Sequence, residues 1–238
     1  MKINWFYIRM GVLVFVTLFL VAFSHKRNAA RKVERVEVHF ETGANLFITE
    51  ETVDKLLIQN EKPLEGQAKE ILDLRNLEQK LDAHAMISDA DVYLTLDGVV
   101  GATVKQRKPL ARVQAQEPYY IDETGAAMPL SSNYAARVPL ISGLDRKQIE
   151  EVYPLLSFLH NDALLNKQVV GITRDARGDY ILTPRVLDYK INLGKVSGLQ
   201  SKFANYKAFY QKAIKDNSLE KYKTVDLRYR GQVIGTKK

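Results

Sequence analysis

No cysteine occurs among the 238 residues, which excludes disulfides, thiolate metal sites and thiol catalysis. Histidine is almost as scarce. His25, His39, His84 and His160 are the four present, and none is spaced with another histidine or a carboxylate as a metal site requires. There is no glycine-rich phosphate loop, no G-x-S-x-G elbow and no H-E-x-x-H pair. A dense basic stripe interleaved with aromatics is also missing, as are internal repeats and low-complexity tracts. The expectation is a chain with no enzymatic activity, catalytic residue, cofactor or metal, and with no nucleic-acid or small-molecule ligand. A glycan hydrolase built on paired acids is the remaining enzymatic reading, because carboxylates are plentiful.

What is present starts with an apolar fraction of 46% and a charged fraction of 26%, enough for a real core. Lys plus Arg number 35 against 28 Asp plus Glu, a formal charge of +7 spread along the chain. That balance suits anionic lipid or wall polymers without demanding either. Met10 to Phe23 is apolar apart from Gly11 and Thr17, and extension back to Ile3 gives 21 residues interrupted by Asn4 and Arg9. A helix of that length spans about 31 Å, close to a hydrocarbon core of roughly 30 Å. Trp5 and Tyr7 suit an interfacial belt, Arg9 can snorkel, and Leu13, Phe15, Leu18, Phe19 and Leu20 supply the lipid-facing surface. Residues 1–25 are therefore read as a short tail and a membrane anchor. The alternative is a cleaved signal peptide, for which Ala22-Phe23-Ser24 offers a site. Lys2 and Arg9 precede the core while Lys26, Arg27, Arg31 and Lys32 follow it. The positive-inside rule alone would keep the C-terminal side in the cytoplasm, but a long domain after a first helix can override it.

Beyond the anchor, Val36, Val38 and Phe40 alternate with Glu37, His39 and Glu41, a half-buried strand. Thr49 suits a helix N-cap, with Ile48 and Val53 spaced as a hydrophobic staple. Glu61 to Gly66 breaks that element, and Leu74, Leu77, Leu81 and Ala85 mark a second helix. Val92, Leu94 and Leu96 read as one strand face, Asp97-Gly98 as a hairpin turn, and Val100, Ala102 and Val104 as the return strand. A strict two-residue turn would set Val99 and Gly101 opposite Leu96 and Leu94, so a longer turn is an open alternative. The order over 33–108 is β-α-α-β-β. In 109–238, strands are expected at Tyr119–Ile121 and around Pro129 and Pro139. A helix capped by Asp145 should kink or break at Pro154. A strand meander follows over Val169–Thr173, Tyr180–Thr183 and Tyr189–Leu193. Leu199 to Ala213 forms another helix and Thr224–Tyr229 a last strand, with Val225, Leu227 and Tyr229 on one face and Asp226, Arg228 and Arg230 on the other. Gly231 suggests a bulge or turn, after which Val233-Ile234 resumes pairing. The fold class is α+β: a transmembrane helix, a small β-α-α-β-β module, then a mixed sheet with flanking helices.

Several of these segments are similar to known ones. The β-α-α-β-β module after a short anchor resembles a POTRA domain. Val104-Lys105-Gln106-Arg107-Lys108-Pro109-Leu110-Ala111-Arg112 resembles the junction after that domain in the FtsQ/DivIB family of bacterial cell-division proteins. Tyr119-Tyr120-Ile121-Asp122-Glu123-Thr124-Gly125, Ala136 to Gly143, and Val225-Asp226-Leu227-Arg228-Tyr229 are similar to later segments of the same family, in the same order. The tyrosine-rich style resembles its Bacteroidota branch. The resemblance implies a non-enzymatic, single-pass inner-membrane protein with its N-terminus in the cytoplasm and its POTRA and β domains in the periplasm. It also implies a divisome scaffold that supports septum formation by recruiting FtsB/FtsL-type partners through strand addition at the final strand. Arg228 and Tyr229 match that contact, and Arg230, Gly231, Gln232 and Val233 continue it. The tail before the anchor is much shorter than in many relatives, which puts any cytoplasmic contact in doubt. The competing reading is a POTRA-bearing envelope transport or assembly factor.

Overall fold

A computed structural model of the chain describes residues 5–29, 31–41, 47–59 and 62–238. Lys2, Ile3 and Asn4 of the expected anchor and Glu61 of the expected break lie outside them, as does the side chain of Tyr7. The chain divides into two compact units, Met1–Gln106 and Arg107–Lys238.

The first unit opens on α1 (Trp5–Ala29). Among the described residues it is the one helix long and apolar enough to cross a membrane, and none of that stretch is buried by the protein. There follow β1 (Arg35–Phe40), α2 (Glu50–Leu56), a minimal hairpin of β2 (Ile58–Gln59) and β3 (Lys62–Pro63), then α3 (Leu74–Asp82), β4 (Ile87–Leu94) and β5 (Val99–Gln106). The three-stranded sheet runs β1-β5-β4, with β1 parallel to β5 and β4 antiparallel to it. Thr49 caps α2 by accepting from the Thr52 N–H at 3.3 Å, and Ile48 and Val53 are both buried, as the cap-and-staple spacing predicts. Leu77 and Leu81 of α3 are buried with Val92, Val100, Ala102 and Val104 of the sheet. Gln106, also buried, accepts from the Phe47 and Ile48 N–H groups at 2.9 and 3.3 Å and so holds the α2 entry to the end of β5.

Two expectations in this unit fail locally. Leu96 is not on the core face: it is 80% exposed at the hairpin tip. The turn is the longer one. Thr95 donates to the Val99 carbonyl at 2.9 Å, which leaves Leu96, Asp97 and Gly98 as the loop and sets Leu94 opposite Val100. Ala85 falls beyond α3, which ends at Asp82, and is exposed.

The second unit is one nine-stranded sheet with helices. Its elements are β6 (Pro109–Gln114), β7 (Tyr119–Asp122), β8 (Ala127–Met128), β9 (Leu140–Ser142), α4 (Ile149–Asn161), α5 (Leu165–Gln168), β10 (Val169–Arg174), β11 (Tyr180–Pro184), β12 (Lys190–Gly194), α6 (Leu199–Lys215), β13 (Tyr222–Asp226) and β14 (Ile234–Lys237). The order across the sheet is β14-β13-β12-β11-β10-β9-β6-β7-β8. β10, β11 and β12 form the expected antiparallel meander. β13 then lies parallel to β12, a pairing that needs a crossover, and α6 is that crossover. Val152, Leu155, Leu156 and Leu159 of α4 and Phe203, Tyr206 and Ala213 of α6 share one buried cluster with the sheet.

α4 continues through Pro154, so of the expected kink or break the break does not occur. An interior proline costs about 3 kcal/mol, while burial of each large apolar side chain returns about 1.5–3 kcal/mol. The buried stripe of α4 therefore outweighs the lost hydrogen bond. α6 ends where Asn217 takes φ 48° and the Ser218 N–H reaches back to the Ala213 carbonyl at 2.9 Å. That left-handed cap is one that asparagine accommodates.

Candidate functional site

The strand expected over Thr224–Tyr229 differs from its sequence-based expectation. β13 ends at Asp226 rather than Tyr229, and it is no edge. β12 covers one side and β14 the other, with Asp226 opposite Ile234, Val225 opposite Gly235 and Thr224 opposite Thr236. A partner strand therefore has no free ladder on β13. The free edge at this end of the sheet is the outer side of β14. The Lys238 N–H points inward, to the Lys221 carbonyl at 2.9 Å. Strand alternation then turns the backbone N–H and C=O groups of Gly235 and Lys237 outward.

The early end of β13 has a local cause. The Asp226 carboxylate accepts the backbone N–H of Arg228 at 3.0 Å, an Asx-type contact that takes that amide out of the ladder. It also accepts from the Arg228 guanidinium, Nε at 3.0 Å and Nη2 at 2.5 Å. Asp226 is thus buried, not on the wet face that alternation predicted. The Arg228 stem lies across Gly194, where φ is +73° and a Cβ would come within 2.7 Å of the Arg228 Cγ.

Burial alone would raise the Asp226 carboxyl, but the hydrogen bonds from the Arg228 side chain and backbone outweigh it and hold the group below its ordinary value. A depressed carboxyl stabilises the fold above its unfolded pKa of about 3.9, and that stabilisation is lost as pH falls through the lower folded value. Protection of the Arg228 amide, the unstructured exchange rate relative to its own at the same pH, should therefore stay high at neutral pH and fall only in acid below about pH 4. An unprotected Arg228 amide at neutral pH would contradict the clamp.

The other expected partner residues fall in the turn between β13 and β14. Tyr229 is 52% exposed, off the core face that Val225 and Leu227 share. Arg230 is exposed, and Gly231 takes φ +72°. The Gln232 N–H closes the turn on the Tyr229 carbonyl at 3.3 Å, and Val233 packs half-buried on the core cluster. Ile234, at the start of β14, is 42% exposed. The turn borders an open groove of about 650 Å³, whose lining includes Lys195, Gly198, Lys202, Asn205 and Tyr229. Sequence reasoning missed this groove because its walls come from segments far apart in the chain. Lys202 of α6 spans its floor, donating to the carbonyls of Leu193 at 2.9 Å and Lys195 at 2.8 Å. Burial lowers its pKa.

The anchor residues stand together on α1. Trp5, Leu13, Phe15, Leu18, Phe19 and Leu20 are all exposed, and the Arg9 guanidinium lies 5.2 Å over the Trp5 ring. Among the described residues, no three His, Asp or Glu side chains gather as a metal site.

Residues 108–236 match the family described as FtsQ/DivIB, C-terminal related, and residues 31–105 match the POTRA-like domain. A search among curated proteins finds no match. With α1, these matches describe a single-pass membrane protein carrying domains of a non-catalytic, division-associated scaffold type.

Proposed function

The chain belongs to the FtsQ/DivIB, C-terminal related family, and from that premise we propose that it is a divisome scaffold receiving FtsB/FtsL-type partners by strand addition. Its N-terminus is cytoplasmic and its two folded units are periplasmic, with α1 in the inner membrane, and it supports septum formation. The observation that carries this reading is the outward ladder of β14, flanked by exposed Tyr229 and Ile234. Main-chain hydrogen bonds from such an edge give affinity with little sequence demand, and side chains beside it give selectivity. Arg228 to Val233 act as the shoulder of the docking edge rather than as the edge itself. Within it, Arg228 is a positioning residue, because its guanidinium is held by Asp226 of the same chain. Tyr229 is the contact group, a large rigid side chain of the type enriched at interface hot spots.

The test is capture of an FtsB-type extracytoplasmic segment by the full-length chain in nanodiscs. Tyr229→Ala should weaken capture about tenfold or more, the loss expected when a hot-spot aromatic is truncated. Unchanged capture would remove Tyr229 from the interface. Midcell enrichment of a fluorescent fusion supports the division reading. A uniform peripheral signal would favour the envelope transport alternative.

A further inference from the structure

The first unit carries a feature that partner binding does not use. α1 ends at Ala29, and almost no linker follows it. The Lys69 N–H donates to the Arg31 carbonyl at 3.2 Å, Val33 donates to Gln67 at 2.9 Å, and Glu34 donates to the Gly98 carbonyl at 2.8 Å. Gly98 allows this close approach. Its φ is +101°, and a Cβ there would stand 2.8 Å from the Lys32 carbonyl. The tip of the β4–β5 hairpin is thus fastened directly to the chain leaving the membrane helix.

At that tip Leu96 is 80% exposed, yet it lines one groove with Leu20, Val21, Phe23 and Arg27 of α1. Phe23 closes the apolar run and Arg27 lies about 6 Å of helix beyond it, so the groove straddles the polar zone of about 5–8 Å on one side of a bilayer. An apolar side chain held at that depth is costly in water and favourable at the lipid interface. The backbone at the tip is prepared for the move. Lys69 Nζ donates to the Leu96 carbonyl at 2.6 Å and to the Thr95 carbonyl at 2.9 Å, and Arg31 Nη1 donates to the Leu96 carbonyl at 2.9 Å. Carbonyls already satisfied by cations lose less on leaving water. Arg27 and Arg31 line the groove with Leu96, Lys69 donates to the tip carbonyls and Lys32 lies against Gly98, so four cationic residues meet at the hairpin tip.

We propose that the β4–β5 hairpin tip is a second membrane contact: Leu96 enters the interface while the surrounding lysines and arginines engage the phosphates of anionic phospholipids. The bilayer thereby fixes the orientation of the first unit relative to the membrane plane. This rests on α1 spanning a bilayer and is independent of which partner β14 receives.

The absence of cysteine makes the test direct. Leu96→Cys, Ser88→Cys and Phe15→Cys in the full chain each carry one nitroxide, in nanodiscs of phosphatidylcholine alone or mixed with phosphatidylglycerol. Collision with oxygen against a water-soluble nickel chelate reports depth. Ser88, the exposed second residue of β4, lies roughly 25 Å from the tip and serves as the solvated reference. The label at Leu96 should be shielded from nickel where Ser88 is not, and more so with phosphatidylglycerol. Adding Lys32→Gln should cut the docked-to-undocked ratio about fivefold in the anionic discs, the effect of one interfacial charge. Nickel accessibility at Leu96 equal to that at Ser88 overturns the proposal, as does shielding that ignores both lipid charge and Lys32→Gln. Nickel access at Phe15 would sink the spanning reading itself, and this proposal with it.

Discussion

Lys237→Pro should abolish partner capture while leaving the fold intact. The Lys237 N–H faces away from β13, so its loss removes no hydrogen bond from the native sheet, and proline is tolerated on such an edge position. An incoming strand, by contrast, loses a donor and meets the pyrrolidine ring. The unmade hydrogen bond alone costs about 1–3 kcal/mol, and steric exclusion from neighbouring pairs adds to it. Affinity should fall at least about thirtyfold, with thermal unfolding shifted by no more than a few degrees. Calorimetric titration together with a melting curve checks both halves. A Lys237→Pro chain that binds as the parent does would move the interface off β14, whatever Tyr229→Ala has done.

The second large effect concerns stability. Asp122 is 1% exposed at the end of β7. Its Oδ1 accepts from the Thr124 N–H at 2.9 Å, the Thr124 hydroxyl at 2.7 Å and the Ala126 N–H at 2.9 Å. Its Oδ2 lies 2.7 Å from Arg107 Nε. One buried carboxylate thus ties the turn before β8 to the start of the second unit. Asp122→Ala leaves Arg107 without this carboxylate and deprives the turn of its acceptor. Loss of one member of a buried ion pair costs about 3–5 kcal/mol. Urea unfolding of the Asp122→Ala chain should show a lowered midpoint with an unchanged slope, the product of midpoint shift and slope being a loss of that size. A loss below about 1 kcal/mol would mean that the turn is held by its backbone contacts alone.

Much of this architecture was legible in the residues, and where legibility failed the causes are physical. Periodicity located α2, α3, α6 and the meander β10–β12 because each buries one clean face. It failed at Leu96, where a single added loop residue turned an apparent core position into a tip. It failed at Pro154 because local cost was set against a tertiary gain that sequence does not display. It failed most consequentially at Val225–Tyr229. The alternation of apolar and charged residues continues smoothly there, but Asp226 captures the Arg228 amide and ends the strand. An aspartate two residues before an arginine was the available signal, and it carries weight only once both are seen on the same side of the backbone. The edge itself, β14, showed in sequence only as a resumption of pairing at Val233-Ile234. A four-residue strand has too few positions for alternation to stand out.

The crossover from β12 through α6 to β13 has a consequence for biogenesis. β14 has nothing to pair with until α6 has carried β13 into place beside β12, so the proposed docking edge depends on that crossover. Non-local pairings of this kind are the slow steps of folding. On the proposed function, a nascent or damaged chain that has not closed the crossover offers no edge, and partner capture would proofread maturation of the fold.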